Sequence, residues 1–120
     1  LAVQLHACRV LNLKVGRVGG IQTALQILQL CQTAGVAVWC GGMFETGIGR
    51  ALNLHLASLP GFSLSNDISA SDRYYQHELL RTPFTLNPDS TITVPSTASL
   101  GVTLRPAQIV RACERFVRFR

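Results

Sequence analysis

A chain of 120 residues, 48% of them hydrophobic, is one domain's worth of polypeptide with enough apolar side chains to build a core. Gln, His, Arg or Asn interrupts every apolar run well short of the roughly 18 residues a membrane span needs, so no membrane partner is expected, and no secretory signal is visible. The net charge of +5 is local: five arginines and one glutamate in residues 105–120 carry +4, which leaves a nearly neutral main body and gives no reason to expect nucleic acid.

Residues 8–14, CRVLNLK, read as a buried parallel strand with Val10, Asn12 and Lys14 on one face and Arg9, Leu11 and Leu13 on the other. A glycine-rich turn follows. Ile21, Ala24, Leu25, Leu28 and Cys31 then recur at helical spacing, and Gly35 stops that helix. Residues 36–40, VAVWC, form a second apolar strand. The loop GGMFETG leads into a second helix, IGRALNLHLASL, which Pro60 ends. FSLSND, residues 62–67, reads as a third short strand, and serines and aspartate in ISASDRYYQHELL suit the start of a short helix. After Pro83 the pattern changes. FTLNPDSTITV predicts a hairpin turning at residues 87–90, PSTASLG a loop, and residues 107–119 a helix with Ile109, Ala112, Cys113 and Phe116 on one face.

The alternation β-α-β-α-β implies an α/β fold with a parallel sheet, open or closed into a barrel. In both, sites form beyond the C-terminal ends of the strands. Those ends carry Lys14, the residues 41–45 with Glu45, and the residues 67–72. Lys14 is the only lysine in the chain. A buried strand is a costly place for an ammonium group, and with Asn12 on its face and Glu45 and Asp67 as possible acidic neighbours it suits acid–base work or stabilisation of an anion. A plain lysine reaching solvent is the competing reading. The glycines of GRVGG and GGMFETGIG suit tight turns or a close approach to an anion, but neither stretch is a complete phosphate motif. The four cysteines, Cys8, Cys31, Cys40 and Cys113, show no metal-ligand spacing; Cys31 and Cys40 read as core residues of a protein in a reducing compartment.

Three stretches, LNLKVGRVGG, VAVWCGGMFETGIGRALNLHLASLPGFSL and DISASDRYY, occur in an order and spacing that resemble the C-terminal part of the o-succinylbenzoate synthase / N-acylamino acid racemase family of the enolase superfamily. The resemblance covers residues 8–95. It implies about strands 6–8 of an enolase-type (β/α)7β barrel, with residues 1–82 as the last three βα units, 83–104 as a hairpin and loop returning toward a capping domain, and 105–120 as a basic tail. It also implies that Lys14 is catalytic, and that Asn12, Gly42, Met43, Phe44, Asp67 and Ser69 bind substrate, with Asp72 nearby. The implied chemistry is proton abstraction beside a carboxylate with Mg2+ stabilising the enediolate, followed in the synthase by loss of water in menaquinone synthesis. The implied setting is cytoplasmic, on a small-molecule carboxylate substrate, in an enzyme that is a homo-oligomer at full length. The family's second-strand lysines and metal-binding carboxylates lie in strands this sequence does not match, so no metal ligand is assigned here.

The chain departs from the family at Val15, where proline is common, at STASLG, and in its arginine-rich end. It begins with Leu1 and not Met, which suggests a processed or truncated product. A complete barrel takes roughly 200–250 residues. The expectation is therefore a piece that is inactive alone and poorly soluble, because opened strand edges attract other chains. Two readings of other classes stand beside this one: an α/β phosphate- or nucleotide-binding module, and a non-catalytic protein whose basic tail contacts an acidic partner.

Overall fold

The computed structural model describes residues 1–113. Its frame is a parallel β-α-β unit. Strand β1 (Val10–Leu13) leads through a 3-10 turn (Val15–Arg17) to helix α1 (Ile21–Thr33), and then to strand β2 (Ala37–Cys40). The strands pair in parallel with Val10 opposite Ala37 and Leu13 opposite Cys40. Helix α2 (Gly47–Ala57) follows β2, and a short helix α3 (Pro106–Ala112) lies near the end of the described residues.

Local sequence explains the punctuation. Gly19 and Gly20 have φ of 87° and 111°, so the GRVGG turn needs residues without a Cβ. Gly35, at φ 68°, ends α1: its N–H donates to Gln32 O at 3.3 Å, and the Val36 N–H donates to Cys31 O at 2.9 Å. This pairing satisfies two carbonyls that the helix end would otherwise leave open. The apolar face of α1 then packs on the sheet, and Leu13, Val15, Ala24, Leu28, Cys31, Val38 and Leu56 form the core. The expected burial of Cys31 and Cys40 is met.

The third strand is reduced to one parallel bridge, Gly41 to Asp67. Backbone bonds from Ser63 N to Val38 O and from Asp67 N to Cys40 O, both 3.0 Å, keep the segment against β2. The Cys40 N–H, however, donates to the side-chain oxygen of Asn66 at 2.7 Å. A side chain takes the place of a ladder carbonyl, and no regular strand forms. The helix expected after residue 68 is a single 3-10 turn, Ser71–Arg73.

The expected hairpin over residues 84–94 keeps its turn and loses its strands. Asn87 N donates to Thr91 O at 2.8 Å, and Ser90 turns the chain at φ 66°. Side chains then take over, with Asn87 Nδ2 donating to Thr91 Oγ1 and Thr93 Oγ1. Hydrogen bonds from Thr91 hold the Asp89 carboxyl below its ordinary pKa. Antiparallel pairing occurs elsewhere, between Leu80 and Leu104, through Arg81 N to Thr103 O and Arg105 N to Leu79 O. The predicted terminal helix exists as α3 up to Ala112; its remainder, with Phe116, lies outside the described residues. No helix among the described residues is long and apolar enough to cross a membrane.

Gly35 offers a clean test of the frame. A Cβ there meets nothing within 4 Å, so Gly35→Ala carries only the backbone cost of a left-handed conformation. That cost is about 1–2 kcal/mol, and a urea denaturation midpoint that does not move contradicts the assignment.

Candidate active site

The parallel register dictates the site. Because Leu13 lies opposite Cys40, the residues just beyond the two strand ends, Lys14 and Gly41–Gly42, stand side by side. Lys14 is half-buried, and its Nζ donates to Gly42 O at 2.6 Å. Gly42 is fixed in turn by its own N–H, which donates to Asp67 O at 2.6 Å. The two glycines are required by this crowding. A Cβ on Gly41 would lie 2.1 Å from Asn12 Oδ1 and 2.9 Å from Lys14 Cγ, and one on Gly42 would lie 2.5 Å from Asp67 O.

Above these contacts opens a cavity of about 270 Å3, lined by Lys14, Gly42, Met43, Phe44, Asp67 and Ser69. The structure thus brings together six of the seven residues that the resemblance implies are catalytic or substrate-binding; Glu45 and Asp72 do not line the cavity. The seventh, Asn12, packs against Gly41 and does not line the cavity. Arg17 and Tyr74 complete the lining and had not been singled out. Phe44 and Tyr74 meet edge to face, with ring centroids 4.8 Å apart, and the Tyr75 hydroxyl donates to Phe44 O.

The acidic neighbours expected of Lys14 are differently engaged. Glu45 Oε2 accepts from Met43 N at 2.7 Å, and Oε1 accepts from Asn53 Nδ2 at 3.0 Å, so this carboxylate braces its own loop. Neither Glu45 nor Asp67 pairs with Lys14; the ion pair among the described residues is Arg50 with Glu78, at 3.4 Å. Burial, and secondarily Glu45, pushes the Cys40 thiol up to about 11, with Lys14 opposing. No group of three or more His, Cys, Asp or Glu among the described residues could hold a metal ion. The side chains of the described residues do not make a magnesium site.

The Arg50–Glu78 network escaped the sequence reading. Arg50 and Asn53 sit on the buried face of α2 among Gly47, Ala51, Leu54 and Leu56. A charged residue at an apolar helical position was the available signal, since such a group needs a buried partner.

Two outcomes follow from this geometry. Gly41→Ala displaces Asn12 and Lys14, and costs about 1–3 kcal/mol by overpacking; pairing it with Asn12→Gly recovers part of that loss, read by chemical denaturation. Cys40 is a neutral thiol at pH 8 in the fold, so Ellman's reagent labels the partly exposed Cys8 well before it. Because the folded thiol is harder to ionise than an unfolded one at 9.0, its contribution to stability is intact below pH 9 and declines from 9 towards 11. Cys40→Ala flattens that decline, and equal pH profiles for the two proteins contradict the claim.

Residues 1–108 match the family model described as enolase C-terminal domain-like. The chain is 48% identical over 111 residues to an o-succinylbenzoate synthase of Enterococcus faecalis, covering 92% of this chain and 30% of that protein. It is also 48% identical over 101 residues to an N-succinylamino acid racemase of Amycolatopsis, covering 84% of this chain and 27% of the relative. A crystal structure of a dipeptide epimerase from Cytophaga hutchinsonii, complexed with Mg and the dipeptide D-Ala-L-Val, superposes with a TM-score of 0.76 at 28% identity, over 87% of this chain and 28% of that one. The chain therefore spans about 30% of the length of the curated relatives it matches. Its two parallel strands and their helices form part of the superfamily's barrel domain, and the chain belongs to the enolase C-terminal domain-like family.

Proposed function

We propose that this chain supplies the last three βα units, about strands 6–8, of an o-succinylbenzoate synthase-like enzyme. In this reading residues 1–82 are barrel, 83–104 return toward a capping domain, and 105–120 are a basic tail. The reaction is removal of a proton beside a carboxylate followed by loss of water, in menaquinone biosynthesis, in the cytoplasm. The observation that carries the reading is Lys14, which lines the cavity and whose Nζ donates to Gly42 O at 2.6 Å.

The chemistry assigned to Lys14 follows from its donors. An ammonium has three N–H groups, and Gly42 O takes one. The other two are available to a carboxylate substrate in the cavity. When a proton leaves the carbon beside that carboxylate, negative charge spreads onto its oxygens. A fixed ammonium at that spot favours the charged state more than the neutral one, which is the condition for acceleration. The same group, once deprotonated, can take the proton instead. Gly42 lends backbone to the cavity lining, Met43 and Phe44 cover the substrate's apolar part, and Asp67 and Ser69 offer hydrogen-bonding partners.

The described residues supply no magnesium site, so Mg2+, which the family's enzymes bind, is assigned to the carboxylates of preceding barrel strands in a full-length protein. Homo-oligomerisation is likewise assigned to the full-length protein. An N-acylamino acid racemase is the second reading. The equal identity to a synthase and to a racemase favours it specifically, and both reactions begin with the same proton removal.

A chimera tests the reading. The chain alone, with Mg2+ and either substrate type, is expected to be inactive. Joined to the N-terminal about 70% of the Enterococcus faecalis relative, in place of that protein's matched 30%, it is expected to form o-succinylbenzoate. Lys14→Ala in the chimera then lowers kcat by at least about 100-fold. A folded chimera that is inert, or a Lys14→Ala chimera of full activity, overturns the proposal.

A further inference from the structure

The cavity has two walls that come from different segments, and each is anchored outside the cavity. Phe44 belongs to the loop between β2 and α2. Tyr74 directly follows the 3-10 turn Ser71–Arg73. The Arg50–Glu78 pair is buried, its side chains 1% and 5% exposed. Glu78 Oε1 accepts the N–H of Gly47 at 2.8 Å, so the carboxylate grips the first residue of α2, three positions after Phe44. Arg50 Nη1 reaches Ser71 Oγ at 3.5 Å, three positions before Tyr74. Ser71 is locked in its turn, since its Oγ accepts from Phe84 N at 3.0 Å and its N–H donates to Phe84 O at 2.8 Å. One buried ion pair therefore connects both walls. The approach is as close as the chain allows, because a Cβ on Gly47 would lie 2.5 Å from Leu80 and 2.9 Å from Glu78 Cδ.

Lys14 is held by a different set of bonds. Gly42 O, Asp67 O, and the backbone bonds of Gly41 N to Leu13 O and Asp67 N to Cys40 O belong to the sheet and its continuation. None of them involves Arg50 or Glu78. Moreover, Arg50 Nη2 is buried with no hydrogen-bond partner. A pair that leaves a buried donor open is a poor device for stability alone, since an apolar pair of similar volume commonly does as well.

We propose that Arg50 and Glu78 are positioning residues that set how the Phe44 and Tyr74 rings meet at the edge of the cavity. They govern how the part of the substrate remote from the reacting carbon is held, while the sheet governs the proton chemistry at Lys14. The proposal rests on the reading of this cavity as the substrate site.

Two variants separate positioning from stability. Arg50→Met/Glu78→Leu removes both charges at similar volume, and Glu78→Gln keeps an acceptor for Gly47. In the 120-residue chain, NMR is expected to show a ring-to-ring NOE between Phe44 and Tyr74. The double variant loses it but keeps the NOEs of Lys14 to Gly41 and Gly42; Glu78→Gln retains slow amide exchange at Gly47. In the active chimera, the double variant raises KM about tenfold or more with kcat within about threefold, and Glu78→Gln recovers much of the KM. An unchanged ring NOE in the double variant overturns the proposal. So does a lowered melting temperature with KM unchanged, which marks a purely structural pair. Should the wild-type chimera be inert, the substrate reading fails on its own account, and the ring NOE still decides whether the pair sets the walls.

Discussion

The site depends on one constraint, the parallel register that sets Leu13 against Cys40. It makes the end of one strand and the glycine pair after the next into neighbours, and everything in the cavity is placed relative to them. A Cβ on Gly41 would lie 2.9 Å from Lys14 Cγ, too close for the lysine side chain to keep its place. Over Gly41 it lies flat, and its Nζ finds the carbonyl of Gly42. The cost of bringing an ammonium partly out of water is offset by a charge-assisted hydrogen bond to Gly42 O. The cost of two adjacent glycines, which is greater backbone freedom in the unfolded chain, is accepted for the same reason.

Two independent anchoring systems then meet at this cavity. The first is the sheet, continued past its regular strands by the bridge from Gly41 to Asp67. The second is the Arg50–Glu78 pair, which ties the start of α2 to the segment carrying Tyr74. Glu45 stands between them and braces Met43 against Asn53 of α2. The two systems differ in chemistry. Backbone ladders tolerate side-chain change, whereas a buried charge pair loses its balance when one partner goes.

Legibility in the sequence followed range. The β-α-β frame was readable because its signals are local: apolar runs, a helical period and Gly35 as a stop. The grouping of Lys14 with residues 42–44 and with Asp67 and Ser69 was readable for a related reason, since strand ends in a parallel sheet fall on one edge. What failed involved side chains acting as backbone. Asn66 takes the Cys40 N–H and ends the third strand, and the threonine and asparagine side chains of residues 87–93 replace a hairpin ladder. Neither substitution leaves a trace in hydrophobic periodicity. The Arg50–Glu78 pair spans 28 residues and joins a helix to an irregular segment, so nothing local announced the partner. Tyr74 entered the cavity for a similar reason, carried there by the turn that Ser71 fixes.

The exposed apolar side chains complete the argument. Val10, 50% exposed, lies on a strand that has one neighbour among the described residues, and Ile21, 46% exposed, opens α1. In a closed barrel every strand has two neighbours and the helices pack against one another. In the proposed reading, a further strand and helix of the full-length enzyme cover this edge, and neighbouring strands carry the metal ligands. Within that division of labour the chain contributes one charged group and the walls around it. Dehydration and racemisation share the proton removal for which that group is suited. In the proposed reading the walls, and the buried pair tied to both of them, are this chain's contribution to holding the rest of the substrate.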